Sequence, residues 1–300
     1  MNNIPKRQHY VPKFYLKEFA TDNTYGKKDK AQVHIYDLEN EKKDIRNIKT
    51  IAYEKYLYSP QNEENPRSSY MEDKLADMES LMSKIWKGFA NTRMGLSSSM
   101  KKGISLFIAT LILRHPENLD KNKEMKTFLA DVILNNIPEG ETKFSFIANG
   151  KESIINLQEV KDSYNSREYE ESVFFIENIE LLSIKIAEEL IKKKWSIIAS
   201  EEKVFITSDR PVIIFNPTRG LVGIGSRGVV IILPLSPSRL LILEDNINNE
   251  EDLTEYPLNK GHASFFNSHI FSNGFRYIIG HKDIKEVVNE IFTYEREVKN

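Results

Sequence analysis

The period of the hydrophobic pattern changes twice along this chain, and those two changes limit the fold more than any single motif. Up to residue 58 the signal is strand-like. Val33, Ile35 and Leu38 outline a half-buried strand over 31–38, the charged run 39–44 is a turn, and 45–51 returns as a second strand. From Tyr70 the residues Leu75, Met78, Leu81, Met82, Ile85 and Phe89 follow the period of an amphipathic helix. Ser97, Ser98 and Ser99 offer capping hydroxyls to a second helix, apolar nearly all round from Ile104 to Leu113 and therefore central to the core. Pro116 is read as its end, just after Arg114 and His115. Helices over 118–136 and 167–193 flank a short hairpin near 144–147. From Trp195 the pattern turns to short β-branched runs at 195–199, 204–206, 212–215, 229–233 and 240–243. Helix 257–271, strand 275–279 and a terminal helix from Asp283 follow.

Strands, then helices, then strands is the order of an α+β protein. The expected architecture is a central helical bundle-like layer packed on a mixed, mainly antiparallel sheet, with strands from both ends of the chain sharing a sheet. No linker or repeat divides it, so residues 1–300 read as a single domain: a docked segment and hairpin over 1–58, a helical region over 70–193 and a sheet-rich region over 195–300.

Composition removes several function classes. Lys and Arg total 42 against 44 Asp and Glu, a formal charge of −2, so no overall field gathers a polyanion and a nucleic-acid contact needs a local basic face. With no cysteine there is no disulfide, thiolate zinc site, iron–sulfur cluster or cysteine nucleophile. The longest apolar run, 104–113, falls short of the roughly 20 residues that span a bilayer. Lys6, Arg7 and His9 interrupt any secretory apolar segment. The expectation is a cytoplasmic protein with no membrane contact.

Few motifs keep their mechanism in context. Gly223-Ile224-Gly225-Ser226-Arg227-Gly228 spells a dinucleotide fingerprint, yet a strand-like run follows the last glycine where the mechanism needs a helix N-terminus, so it reads as a hairpin loop. Thr207-Ser208-Asp209-Arg210-Pro211 sits between two strand-like runs: it is a turn, or a carboxylate and two hydroxyls at the end of a buried strand, and the two readings are compatible. Glu72 and Glu79 lie seven apart on the first helix, within about 20° of one another at the edge of its apolar stripe. Such a pair is a solvated face, a metal site or an acid–base pair. Arg114, at the end of a core helix, demands a partner: helix carbonyls and a carboxylate such as Glu79 or Asp209, or an anionic substrate. His262 and His269 lack the spacing of a chelating pair, and His34 and His281 read as surface or capping residues. Glu41-x-Lys43, a fragment of a nuclease motif, falls in a charged turn.

The amino terminus is unusual. Gln8-His9-Tyr10-Val11-Pro12-Lys13-Phe14-Tyr15-Leu16-Lys17-Glu18-Phe19 packs four aromatics into a stretch that is polar and frayed in most chains, so it docks into the body and carries His9 inward. With Ile35-Tyr36-Asp37, Glu79, Phe107-Ile108, Arg114, Pro116, Trp195, Phe205-Ile206-Thr207-Ser208-Asp209, Pro211-Val212, Pro234-Leu235-Ser236-Pro237 and Asn267, it makes most of the chain resemble the domain of unknown function 4238 family, a mostly bacterial group. Arg210 and His115 are departures, since relatives commonly carry Asn after the aspartate and a small or hydroxyl residue at the histidine position. No activity comes with the resemblance. It implies that His9, Arg114 and Asp209 belong to one recurrent polar set. A histidine, a carboxylate pair and an arginine suit metal-assisted or acid–base hydrolysis of a phosphodiester. The leading expectation is therefore a hydrolase or nuclease-like effector of bacterial defence or a toxin system, acting on nucleic acid or another phosphorylated substrate. His9, Glu79 and Asp209 are its candidate catalytic residues, Gln8, Arg114, Thr207 and Ser208 its candidate binding residues, and a divalent metal such as Mg²⁺ a compatible cofactor. The rival expectation is a non-enzymatic protein- or ligand-binding module whose polar set pins the N-terminal segment to the core.

Overall fold

The computed structural model describes residues 4–27, 29–136, 140–148, 151–158, 168–248, 252–259 and 261–299. β1 (Arg7–His9) pairs antiparallel with β4 (Tyr53–Lys55), and α1 (Lys13–Leu16) and a 3₁₀ turn (Lys17–Phe19) follow β1. Between them lies the hairpin of β2 (Gln32–Asp37) and β3 (Lys42–Asn47). The helices are α2 (Tyr70–Asn91), α3 (Ser98–Leu113), α4 (Pro116–Asn136) and α5 (Glu168–Lys192), with the hairpin of β5 (Lys143–Ala148) and β6 (Lys151–Asn156) before α5. The remainder runs β7 (Lys194–Ala199), β8 (Thr207–Ser208), β9 (Ile213–Phe215), β10 (Val230–Ser236), β11 (Arg239–Glu244), β12 (Thr254–Pro257), α6 (His262–Asn273), β13 (Tyr277–Gly280) and α7 (Lys285–Lys299).

The fold is α+β. Its strands divide between two larger sheets where the sequence predicted one. Five strands run in the order β12-β7-β11-β10-β9, antiparallel except for β12 beside β7; four run β3-β2-β13-β8. The second sheet joins the two ends of the chain, since Tyr36 of β2 faces Ile278 of β13. The chain leaves the first sheet after β7, visits the second as β8 and returns as β9. The run 204–206, expected as a strand, is this crossing. Val204 and Phe205 donate their backbone N–H groups to the Pro237 carbonyl, and Ile206 donates to Asn267 Oδ1 at 3.2 Å. With those groups satisfied locally, no ladder forms until Thr207.

α3 lies at the centre, with Ile104, Phe107, Ile108 and Ala109 wholly buried, and it packs along α5. Ser97 caps it, its Oγ accepting the Met100 N–H at 3.2 Å. Pro116 opens α4 and does not close α3, because a proline loses nothing at the first helical position. On α2 the buried stripe is Leu75, Met82, Trp86 and Phe89, while Leu81, predicted to join it, points to solvent. The glycine-rich run 223–228 lies in the loop between the antiparallel partners β9 and β10, as expected, and no helix follows it. Among the described residues no helix is long and apolar enough to cross a membrane.

Candidate functional site

Why the amino terminus is ordered is visible in its packing. Pro12, in extended backbone, sets the entry to α1, and the rings of Phe14, Tyr15, Trp86 and Phe107 form a cluster with centroids 5.2–5.8 Å apart. Gln8, fully buried, accepts the Tyr58 N–H on Oε1 at 2.7 Å and donates from Nε2 to Ser59 Oγ at 2.9 Å. Its amide locks the chain entering and leaving the β1–β4 ribbon.

Tyr10 ties the predicted residues together and divides them. Its carbonyl accepts from Arg114 Nε at 2.8 Å, while its hydroxyl donates to Asp209 Oδ2 at 3.4 Å. Arg114 and Asp209 are thus brought to one residue but held at its two ends.

At the hydroxyl end everything is closed. Asp209, wholly buried, accepts the backbone N–H groups of Phe275, Arg276 and Tyr277 at 3.0, 2.9 and 3.1 Å. Burial pushes its carboxyl up, and those N–H groups pull against that shift. Thr207 Oγ1 meets the Tyr15 hydroxyl at 2.7 Å, and that hydroxyl also reaches the Pro234 carbonyl at 2.7 Å. Ser208 Oγ accepts the Arg210 N–H and donates to its carbonyl, a local turn. These groups join N-terminal segment, crossing strand and β13.

The carbonyl end is different. Arg114, also wholly buried, donates from Nη1 to Glu79 Oε1 at 2.8 Å, while Glu79 keeps about a quarter of its side chain exposed. Arg114 Nη2 is buried with no hydrogen-bond partner among the described residues. The Tyr58 hydroxyl donates to the Arg114 carbonyl at 3.0 Å. Glu72, two turns before Glu79 and half-buried, has its carboxyl lifted to about 7 by burial and by the charge of Glu79, against the pull of Arg114 and Lys13. His9, half-buried beside the Tyr53 ring, is lowered to about 4 by burial and by Lys13, Arg114 and Arg7. The Ile48 carbonyl favours a proton on the ring, and Nε2 is buried with no partner among the described residues. The ring therefore offers Nε2 as an acceptor.

So Arg114 and Glu79 are in contact, with Glu72 and His9 each within electrostatic reach of Arg114 and Lys13, while Thr207, Ser208, Asp209 and Gln8 serve the framework. The sequence named Tyr10 as an aromatic that anchors the amino-terminal segment but gave neither it nor Lys13 a part in the polar set; only three-dimensional proximity does. Nor did it foresee that Arg210 and His115 line one cavity of about 280 Å³ at the start of α4. His115, packed edge-on between the rings of Tyr10 and Phe275, has its imidazole lowered to about 4, chiefly by burial.

Several polar residues that carried the resemblance form a hydrogen-bonded frame, to which Asn267 adds an Nδ2 donation to the Val204 carbonyl; Trp195 Nε1 donates separately to the Leu190 carbonyl. An α+β protein whose amino terminus is clamped by such a frame is the class that fold and site define. The sequence model of the family described as Protein of unknown function (DUF4238) matches residues 7–283, and the chain belongs to that family. No curated protein and no solved structure matches it.

Proposed function

We propose that the protein is a hydrolase that cleaves phosphodiesters by acid–base chemistry at the His9–Glu72–Glu79–Arg114 cluster, with Asp209 as scaffold. The observation that carries this reading is that Arg114 Nη2, a donor, and His9 Nε2, an acceptor, are both buried with no hydrogen-bond partner among the described residues, in side chains near enough for the Arg114 charge to lower the His9 ring. Each such group costs about 1–3 kcal/mol, which a substrate offering a phosphoryl oxygen and an exchangeable proton would recover. Lys13, Arg114 and Arg7 around His9 favour an anion. At neutral pH His9 is uncharged and free to accept a proton, while Glu72 is about half protonated and able to give one. In the step, water attacks phosphorus and loses a proton to His9 Nε2. The bond to the leaving oxygen breaks, Glu72 protonates that oxygen, and Arg114 faces the charge on the phosphoryl group. Among the described residues no three histidine or acidic side chains gather to hold a metal ion, so a divalent cation such as Mg²⁺ would arrive on the substrate's own oxygens. This reading keeps the chain as one domain, and a nuclease of bacterial defence or a toxin system, working in the cytoplasm, is its specific form.

The sealed state of Asp209 favours a second reading, a binding module without chemistry. Bis-p-nitrophenyl phosphate and single- and double-stranded DNA and RNA, each assayed with EDTA and with Mg²⁺, separate the two. The hydrolase reading expects turnover by the wild type. It also expects a loss of about a hundredfold in His9→Gln and in Glu72→Gln, with melting temperatures that show both variants folded. A folded wild type that cleaves none of these substrates leaves the binding module standing.

A further inference from the structure

We propose that the cavity between the 3₁₀ turn Lys17–Phe19 and the end of α2, which shares no residue with the cluster above, is a binding site for a dianionic phosphoryl group, free or as the phosphomonoester end of a larger molecule. Lys17, Glu18, Tyr25, Gly26, Lys27 and Lys87 line it around about 250 Å³.

Charge comes first. Among the described residues the ammonium groups of Lys17, Lys27 and Lys87 make no ion pair and no hydrogen bond; Lys87 Nζ has only the ring of Tyr25, at 5.9 Å from its centre. Elsewhere Lys49, Lys101 and Lys193 each hold a carboxylate. The one carboxylate lining the cavity does not answer the three cations. Glu18 is 8% exposed, and its Oε2 accepts from the Tyr25 hydroxyl at 2.9 Å and from Asn91 Nδ2 at 2.7 Å, both neutral donors. Three ammonium groups against one carboxylate leave two positive charges on a small cavity, a repulsion that a dianion among them removes.

The wall is built by hydrogen bonds. Those of Glu18 join the 3₁₀ turn, the loop after it and α2. Gly26, at φ +78°, has no atom within 4 Å of where a Cβ would stand, so the loop side of the cavity is open. The dipole at the end of α2 opposes an anion, but the carbonyls there are already answered. Asn91 Nδ2 donates to the Lys87 carbonyl at 3.0 Å, and Thr92 donates to the Gly88 carbonyl from N at 3.0 Å and from Oγ1 at 2.8 Å.

The donors select the ligand. Lysine presents point charges, not the planar fork with which arginine grips a carboxylate, and the cations lining this cavity are all lysines. A carboxylate or a phosphodiester brings a single charge. A phosphomonoester brings nearly two charges and three strong acceptor oxygens, one for each lysine. The volume of about 250 Å³ lies below the roughly 300–1,000 Å³ of most ligand sites, so the cavity takes the head group and leaves the rest of a larger molecule outside.

Calorimetric titration with phenyl phosphate, inorganic phosphate, diphenyl phosphate and benzoate, with melting curves alongside, tests this. At about pH 8 the first two are dianions and the last two monoanions. Phenyl phosphate is expected to bind the wild type with a Kd of about 1 mM or tighter and to raise its melting temperature. Inorganic phosphate binding equally well assigns the site to the free ion, and weaker binding assigns it to an ester end. Lys27→Gln and Lys87→Gln, changes at exposed side chains that leave the fold intact, should each weaken phenyl phosphate about threefold, and the double variant about tenfold. Glu18→Gln keeps an oxygen for Tyr25 and Asn91 but removes the opposing charge, so it should tighten binding about threefold. His9→Gln, outside the cavity, should bind as the wild type does, which separates this site from the cluster above. Any of four results overturns the proposal: no binding of either dianion to folded wild type, diphenyl phosphate or benzoate binding as tightly as phenyl phosphate, undiminished binding in the folded double variant, or loss of binding in His9→Gln.

Discussion

The two ends of Tyr10 handle buried charge in opposite ways. At the hydroxyl, Asp209 has its acceptor capacity filled by three backbone N–H groups of one turn. At the carbonyl, Arg114 finds one partly exposed carboxylate, and its Nη2, like the Nε2 of His9, has no partner among the described residues. Both regions contain an acidic group that the sequence nominated for chemistry. Of the two, only the second keeps buried polar atoms with no partner among the described residues. Burial with complete satisfaction marks a joint. Burial with a remainder leaves a group in want of an explanation, and a ligand is the one proposed above.

The sharpest way to break this contrast is Asp209→Ala. Three N–H groups in a sealed turn would lose their acceptor, so the expected destabilisation is about 3 kcal/mol or more, read as a fall in the urea midpoint with the slope unchanged. A variant as stable as the wild type would show that the joint holds nothing.

Acidification tests the two lowered histidines next. Folded His9 and His115 sit near 4, against an ordinary 6.5, so the unfolded chain binds protons more readily between those values. Their contribution is intact above about 6.5 and is lost as pH falls through 4, up to roughly 3 kcal/mol per ring. His9→Gln and His115→Gln should each flatten the stability–pH curve over that interval. A curve that stays as steep in both would mean that neither ring is buried neutral.

The smallest effect belongs to Glu72. Its folded carboxyl sits near 7 against an ordinary 4.5, so its stabilisation is present below about 4.5 and is lost as pH rises through 7, the reverse of the histidines. Glu72→Gln should therefore gain stability relative to wild type on going from pH 4 to pH 8, by about 1 kcal/mol once solvent screening is allowed for. An unchanged difference between the two proteins across that range would place Glu72 in ordinary solvent and remove the acid from the proposed step.

Much of the fold was legible in the sequence because periodicity records which face of an element is buried. The alternation Val33, Ile35 placed β2, and the 3.6-residue stripe placed α2. Errors fell where two neighbouring residues compete for one face. Leu81 and Met82 are both apolar, but a helix turns 100° between them, and only Met82 reaches the core. The run 204–206 has strand composition, yet its N–H groups found a carbonyl and an Asn side chain before a ladder could form. Half of the candidate site was legible for a similar reason. The expense of burying Arg114 predicts a carboxylate partner, and Glu79 is that partner.

What the sequence determined by itself is the α+β class, the docking of the aromatic amino terminus, and the demand of Arg114 and Asp209 for partners. Each follows from local pattern or from the cost of burying a particular group. What only the tertiary structure decided is which of those demands is fully met. Whether Asp209 is closed depends on a turn 66–68 residues further along the chain, and whether Arg114 keeps a free nitrogen depends on how closely α2 approaches α3. Such counts of satisfied lone pairs and hydrogens come from atoms remote in sequence, and no local pattern carries them.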